Sequence, residues 1–139
     1  MGVGREGVED VLTRVVRWAE TRSDIRAVAL VGSYARRAER TDSDIDLAIL
    51  TFRPDRYTRE EDWVIELGLG NLVQTEDWGA IKERRLRLPD GLEIEVGIGE
   101  PTWASVDPLD PGTRDVVNNG MRPLYDPDGL LQRLQLACS

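Results

Sequence analysis

Histidine is absent from this chain, and cysteine occurs once, as Cys138. Without histidine there is no Ser-His-Asp triad, no imidazole general base and no ordinary zinc site. Acid–base chemistry then falls to carboxylates, Lys, Tyr or water. A single thiol cannot close an intrachain disulfide, and a reduced cysteine agrees with the cytoplasm as the expected location. Lysine is almost missing as well: Lys82 stands alone among 18 basic residues, and arginine supplies the others. Arginine suits phosphate, because its planar fork of donors matches phosphate oxygens. There is no signal peptide pattern and no apolar run near the roughly eighteen residues that a membrane helix needs, so no membrane partner is expected. Positive charge is scarce overall, with 26 acidic residues against 18 basic ones and a net charge of −8. A large phosphate-backbone footprint needs a basic face. An extended nucleic acid partner, and with it a processive polymerase or tRNA-tailing activity, is therefore disfavoured.

What is present suffices for one core. The chain has 139 residues, 40% of them hydrophobic, which predicts a single domain over residues 1–139. Its most informative stretch is residues 30–50, LVGSYARRAERTDSDIDLAIL. An apolar run ends in Gly32-Ser33. A polar, basic segment follows, and Asp44-Ile45-Asp46 then opens a second apolar run. Acids at i and i+2 of a strand share a face, about 6.5 Å apart along it. That spacing lets two carboxylates converge on a hard cation. A Gly-Ser turn can offer backbone N–H groups and a hydroxyl to a phosphate. An ordinary Asx-rich loop feeding a strand would account for Asp42 and Ser43. It would not account for Asp46, an acid placed inside an apolar strand, where burial is costly without a partner.

Gly-Ser, a short helix and then Asp-x-Asp on the next strand resembles the signature of the polymerase beta-like nucleotidyltransferase superfamily, in particular its antibiotic (aminoglycoside and lincosamide) adenylyltransferases. The resemblance implies an α/β (α+β) fold, with a mixed twisted sheet flanked by helices. It also implies a third acid on a later strand. Residues 92–98, LEIEVGI, alternate apolar residues with Glu93, Glu95 and Gly97, so one face is core and the other carries both acids. The resemblance makes Glu95 the better candidate, because the related antibiotic-modifying transferases carry their acid in a similar place between apolar residues. Glu93 shares its facing and lies nearer the turn at residues 89–91. Related enzymes often carry Asp where this chain has Glu.

By the same resemblance the activity is transfer of a nucleoside monophosphate, AMP in the first instance, from a nucleoside triphosphate to a hydroxyl of a small acceptor. Asp44, Asp46 and Glu95 are then the catalytic and metal-binding residues, with Mg²⁺ as cofactor and Mn²⁺ as a substitute. Gly32, Ser33 and Arg36 are the nucleotide-binding residues, Arg36 because it lies about one helical turn from Ser33. Arg37 and Arg40 are alternatives to it. The runner-up is a minimal nucleotidyltransferase antitoxin that binds, and modifies, a helical toxin. Larger relatives append a helical domain that helps to hold the acceptor, and here the chain ends soon after the third acid. A homodimer is therefore expected, or a partner protein. The apolar terminal helix, with Leu130, Leu131, Leu134 and Leu136, points the same way.

Periodicity gives the remaining elements. Helices are predicted over residues 7–21, 34–39, 59–67 and 113–118, and again after Asp126-Pro127-Asp128. Strands are predicted over residues 25–31, 44–51, 72–76, 81–88, 92–98 and 124–125, with a loop at residues 52–57 because of Pro54. Residues 101–104 read as a short helical turn. Trp18 reads as helix packing, whereas Trp63, Trp78 and Trp103 could be core or pocket. Tyr34 reads as packing under the turn. Asp107 and Asp110 are weaker acceptor-binding candidates.

Overall fold

Val8, Val11, Leu12, Val15 and Ala19 recur at helical spacing, and all five are buried on one face of the first helix. The computed structural model describes residues 5–35, 44–77 and 82–139. Among them the chain runs α1 (Arg5–Glu20), β1 (Ile25–Val31), β2 (Ile45–Thr51), α2 (Pro54–Arg59), α3 (Asp62–Leu67), β3 (Asn71–Asp77), β4 (Lys82–Arg87) and β5 (Glu93–Gly99). A 3-10 turn (Pro101–Ala104), α4 (Pro111–Asn118), β6 (Met121–Tyr125) and α5 (Leu130–Cys138) complete it. The strands form one mixed sheet in the order β3-β4-β5-β2-β1-β6. Among the described strands only β2 and β5 pair in parallel, and the other neighbours are antiparallel.

Strand alternation gives the sheet two unlike faces. Ile45, Leu47 and Ile49 of β2 join Ile94, Val96 and Ile98 of β5 in the main core, beneath the apolar face of α1 and beneath Tyr57, Trp63, Val64 and Leu67 from α2 and α3. A smaller cluster fills the opposite face around Ala27 and Ala29 of β1, Leu50, Ala104, Met121, Leu131 and Leu134. The alanines leave room for α5 to approach closely. This second cover lies over β1, β6 and the end of β2. The acidic part of that face, on β2, β5 and β4, is left accessible.

Two buried arginines tie α2 and α3 down. Arg84 donates from Nη1 to the carbonyls of Tyr57 (2.9 Å) and Glu60 (3.0 Å), which end α2. The guanidinium carbon of Arg22 lies 5.3 Å from the Trp18 ring centroid and 5.6 Å from that of Tyr57, and Arg22 pairs with Glu66 at 2.7 Å. The sequence-predicted loop at residues 52–57 is a finding to correct. Pro54 is the first residue of α2, where a missing N–H costs nothing and the fixed φ suits a helix. The terminal helix also differs in its use of apolar surface. Leu131 and Leu134 are fully buried, and Leu136 is the exposed one. Most of the apolar surplus that suggested a second copy is thus absorbed within the chain.

Candidate active site

The site grows from the end of β1. Antiparallel pairing sets Val31 opposite Asp46, and the next residue, Gly32, turns the chain with φ 75°. The turn closes where the Ala35 N–H donates to the Gly32 carbonyl at 3.1 Å. A Cβ built on Gly32 would lie 2.5 Å from Oδ2 of Asp46. Glycine is needed here twice over, for its positive φ and for the close approach of backbone to carboxylate.

Parallel pairing then sets the second acid. Asp46 of β2 and Glu95 of β5 are direct register partners, on strands about 4.8 Å apart. Both point away from the main core, because their neighbours Ile45, Leu47, Ile94 and Val96 point into it. Glu93 shares the facing of Glu95 but pairs across β4 with Arg87. Asp44 immediately precedes β2. Gly32, Asp46 and Glu95 line a cleft of about 500 Å³, together with Glu83, Gly97 and Trp103. Gly97 and the neighbouring Ala48 give this cleft a floor with almost no side chain.

An arginine of β4 joins three of the acids. Arg85 of β4 pairs with Glu95 in the sheet register. Its Nη1 donates to Asp44 Oδ2 at 2.9 Å and to Glu93 Oε1 at 2.8 Å, and its Nη2 donates to Glu95 Oε1. Burial works to lower the Arg85 pKa, but hydrogen bonds to Glu93 and Asp44 outweigh it and leave the guanidinium held above its ordinary value. Glu93 has a second partner in Arg87, through Nε at 2.9 Å and Nη2 at 2.7 Å. Hydrogen bonds from Arg87 and then Arg85 hold the Glu93 carboxyl below its usual range.

The other candidate residues are placed as follows. Ser33 lies half-buried in the turn after β1. Arg36, with Arg37, Arg40 and Trp78, falls outside the described residues. Tyr34 packs against the main core. Trp18 and Trp63 are core, and Trp103 alone of the described tryptophans lines the cleft. Asp110 caps α4, accepting from the Thr113 N–H at 3.0 Å. Arg85 and Glu83 are the site residues that sequence reasoning missed. The signal was available in the hairpin: a turn at residues 89–91 pairs Arg87 with Glu93, and therefore Arg85 with Glu95.

As a donor set, Asp44, Asp46 and Glu95 offer only carboxylate oxygens, the ligand type that hard divalent cations prefer. In chemistry they fit Mg²⁺ or Mn²⁺. As the side chains lie, no three potential ligands among the described residues are grouped to hold a metal ion. Asp44 and Glu95 are engaged by Arg85 instead.

The comparisons with known proteins agree with this architecture. Residues 14–77, from α1 through β3, match the family described as "Polymerase beta, Nucleotidyltransferase". The match makes this part of the chain similar to that family, and the mixed sheet with its flanking helices is consistent with a polymerase beta-like nucleotidyltransferase core. Among solved structures it is similar to one described as "Structure and function of the polymerase core of TRAMP, a RNA surveillance complex". The TM-score is 0.51 with 17% identity over 69% of this chain, a likeness of fold. This chain covers 32% of that longer one. No curated protein matches the sequence.

Proposed function

We propose that this chain is a divalent-metal-dependent nucleotidyltransferase that moves a nucleoside monophosphate, AMP in the first instance, from a nucleoside triphosphate to the hydroxyl of a small acceptor. The observation that carries this reading is the in-register pair Asp46–Glu95 beside Gly32 in one cleft. Asp44 and Asp46, with Glu95, would hold the cation. When bound, such a cation neutralises charge on the phosphate oxygens and orients them. Gly32 lets the triphosphate approach the backbone, and Ser33 would donate to a phosphate oxygen. The acceptor oxygen attacks the α-phosphorus, forming the new P–O bond as the bond to the leaving pyrophosphate breaks. Glu95 orients that hydroxyl and takes its proton. The open cleft, with Trp103 on its wall, gives room for the acceptor.

A small acceptor is preferred to a docked protein partner. Among the described residues the exposed large apolar side chains are Phe52, Ile65, Val73, Val106 and Leu136; Ile65, Val73 and Leu136 sit on three different elements, and Phe52 and Val106 on separate connections. Such residues scattered singly are ordinary surface. The antibiotic-like acceptor rests on the sequence resemblance together with the acidic cleft and the net charge of −8, which favour a cationic molecule.

Thermal unfolding with Mg²⁺ and each of ATP, GTP, CTP and UTP tests the reading. At least one pair should raise the melting temperature of the wild type, since a ligand that binds only the folded state adds stability by mass action. Asp46→Asn should lose that rise. An equal rise in Asp46→Asn, or none for any triphosphate in the wild type, would remove the basis for the assignment.

A further inference from the structure

We propose that Arg85 is a built-in counter-ion that competes with the divalent cation for Asp44 and Glu95, and that Glu93 is the anchor that retains its guanidinium when the cation binds. This rests on the reading of Asp44, Asp46 and Glu95 as the cation's ligands.

The charges make the case. Asp44, Asp46, Glu93 and Glu95 bring four negative charges to one face of β2 and β5, since β2 and β5 are neighbours and the acids share a facing. Arg85 and Arg87 bring two positive charges to the same face of β4. The two arginines are not equivalent. Arg87 is more exposed and meets Glu93. Arg85 reaches Asp44, Glu93 and Glu95 at once. Two of those three acids are the proposed ligands, and the third is not. A guanidinium and a divalent cation on the same two carboxylates repel each other and contend for the same oxygens. Binding of the metal must therefore loosen the contacts of Arg85 to Asp44 and Glu95. The contact from Nη1 to Glu93 can persist, because Glu93 lies on the same strand two residues from Glu95. Arginine is suited to this role: its planar fork spans several acceptors, and it stays charged at any working pH. Before metal arrives it relieves the repulsion among the acids. Afterwards it remains close enough to weaken metal affinity, which keeps the cation exchangeable.

The test is Mn²⁺ titration of the intact chain without nucleotide, with free Mn²⁺ followed by electron paramagnetic resonance, alongside thermal unfolding of the metal-free protein. Arg85→Gln should bind Mn²⁺ about tenfold more tightly, the change expected for a unit charge about 6 Å from a divalent cation in a water-like dielectric. It should also unfold at lower temperature without metal, and Mn²⁺ should restore more of its stability than it adds to the wild type. Arg85→Lys keeps the charge and should stay near wild-type affinity. It also serves if Arg85→Gln fails to fold, since a shorter side chain that cannot bridge all three acids should then destabilise the metal-free protein alone. Equal or weaker Mn²⁺ binding by Arg85→Gln overturns the proposal while leaving the metal site intact. An Asp46→Asn variant that binds Mn²⁺ like the wild type overturns the underlying site instead. Absence of binding in both wild type and Arg85→Gln removes the two together.

Discussion

At the scale of single residues, the site is decided by pairs. Gly32 and Asp46 are so close that a single methyl group separates function from strain. Gly32→Ala should cost about 1 kcal/mol or more, through positive φ alone, and should displace the Asp46 carboxylate. Chemical denaturation would give the first number, and loss of the Mg²⁺–triphosphate stabilisation would report the second. Glu93 and Glu95 share a face, yet their partners differ. Glu95 faces Asp46, whereas Glu93 is held by Arg87 and Arg85. Glu95→Gln is expected to abolish most transfer while leaving triphosphate binding largely intact. Glu93→Gln should reduce transfer several-fold at most. A transfer assay that showed the opposite order of damage would reassign the third acid to Glu93. In the sequence the two acids share facing and apolar neighbours, and only the family resemblance and the nearness of Glu93 to the turn separate them. Arg85 was passed over there because an alternating run of charges, KERRLR, reads as a solvated strand until the register of its hairpin is fixed.

The elements divide the labour between the two sheet faces. Helices α1, α2 and α3 close the main core, and their contact is built from Trp18, Tyr57 and Trp63, whose ring centroids lie within 5.7–5.9 Å of each other. Trp63 is fully buried and donates its ring N–H to the Tyr57 and Glu60 carbonyls. Trp63→Ala should therefore cost about 3–5 kcal/mol in equilibrium unfolding; a loss below about 1 kcal/mol would show that α3 is not docked as described. Asp24 joins these elements to the end of β2. Burial raises its pKa, but hydrogen bonds from Tyr57 (2.6 Å) and Thr51 (2.9 Å) prevail and leave it below the ordinary carboxylate range. A carboxyl lowered on folding contributes stability that is present above its unfolded pKa, about 3.9, and is lost as pH falls through the folded value. Acid unfolding of Tyr57→Phe should accordingly show a shallower loss of stability below about pH 4 than the wild type. An unchanged acid limb would mean that the Tyr57 hydroxyl does not set the Asp24 pKa.

For the whole molecule, the net charge bears on the choice of partner. The fold is similar to a polymerase core named for an RNA surveillance complex, but a net charge of −8 opposes a phosphate backbone. Fluorescence anisotropy with a labelled single-stranded RNA at about 150 mM salt should show no binding at micromolar protein, where nonspecific affinities are at best about 10⁻⁶ M. Micromolar binding that weakened steeply with salt would reveal a basic face that the net charge conceals. The scale of the molecule also bears on the homodimer. With Leu131 and Leu134 consumed by the core, the terminal helix offers a second copy little beyond Leu136.

The sequence by itself determined the elements whose signal is local. β1 appears at residues 25–31, as predicted around the apolar run at residues 27–31, and α1, β2 and the β4–β5 hairpin appear within a few residues of their predicted bounds. Periodicity suffices there, because each segment's own pattern fixes which side is buried. The resemblance to the nucleotidyltransferase family was legible for the same reason: Gly32, Ser33, Asp44 and Asp46 lie close together in the chain. The α2 helix was not legible, since Pro54 reads as a breaker until packing of Tyr57 and the buried Arg84 stabilises one short turn. Tertiary structure alone decided three further matters. It set Asp46 opposite Glu95, through a parallel pairing between strands far apart in the chain. It placed α5 over Ala27 and Ala29 rather than over the acids. And it brought Arg85 to Asp44, 41 residues away in the chain. These depend on strand order and register, which long-range packing selects and which no local run of residues encodes.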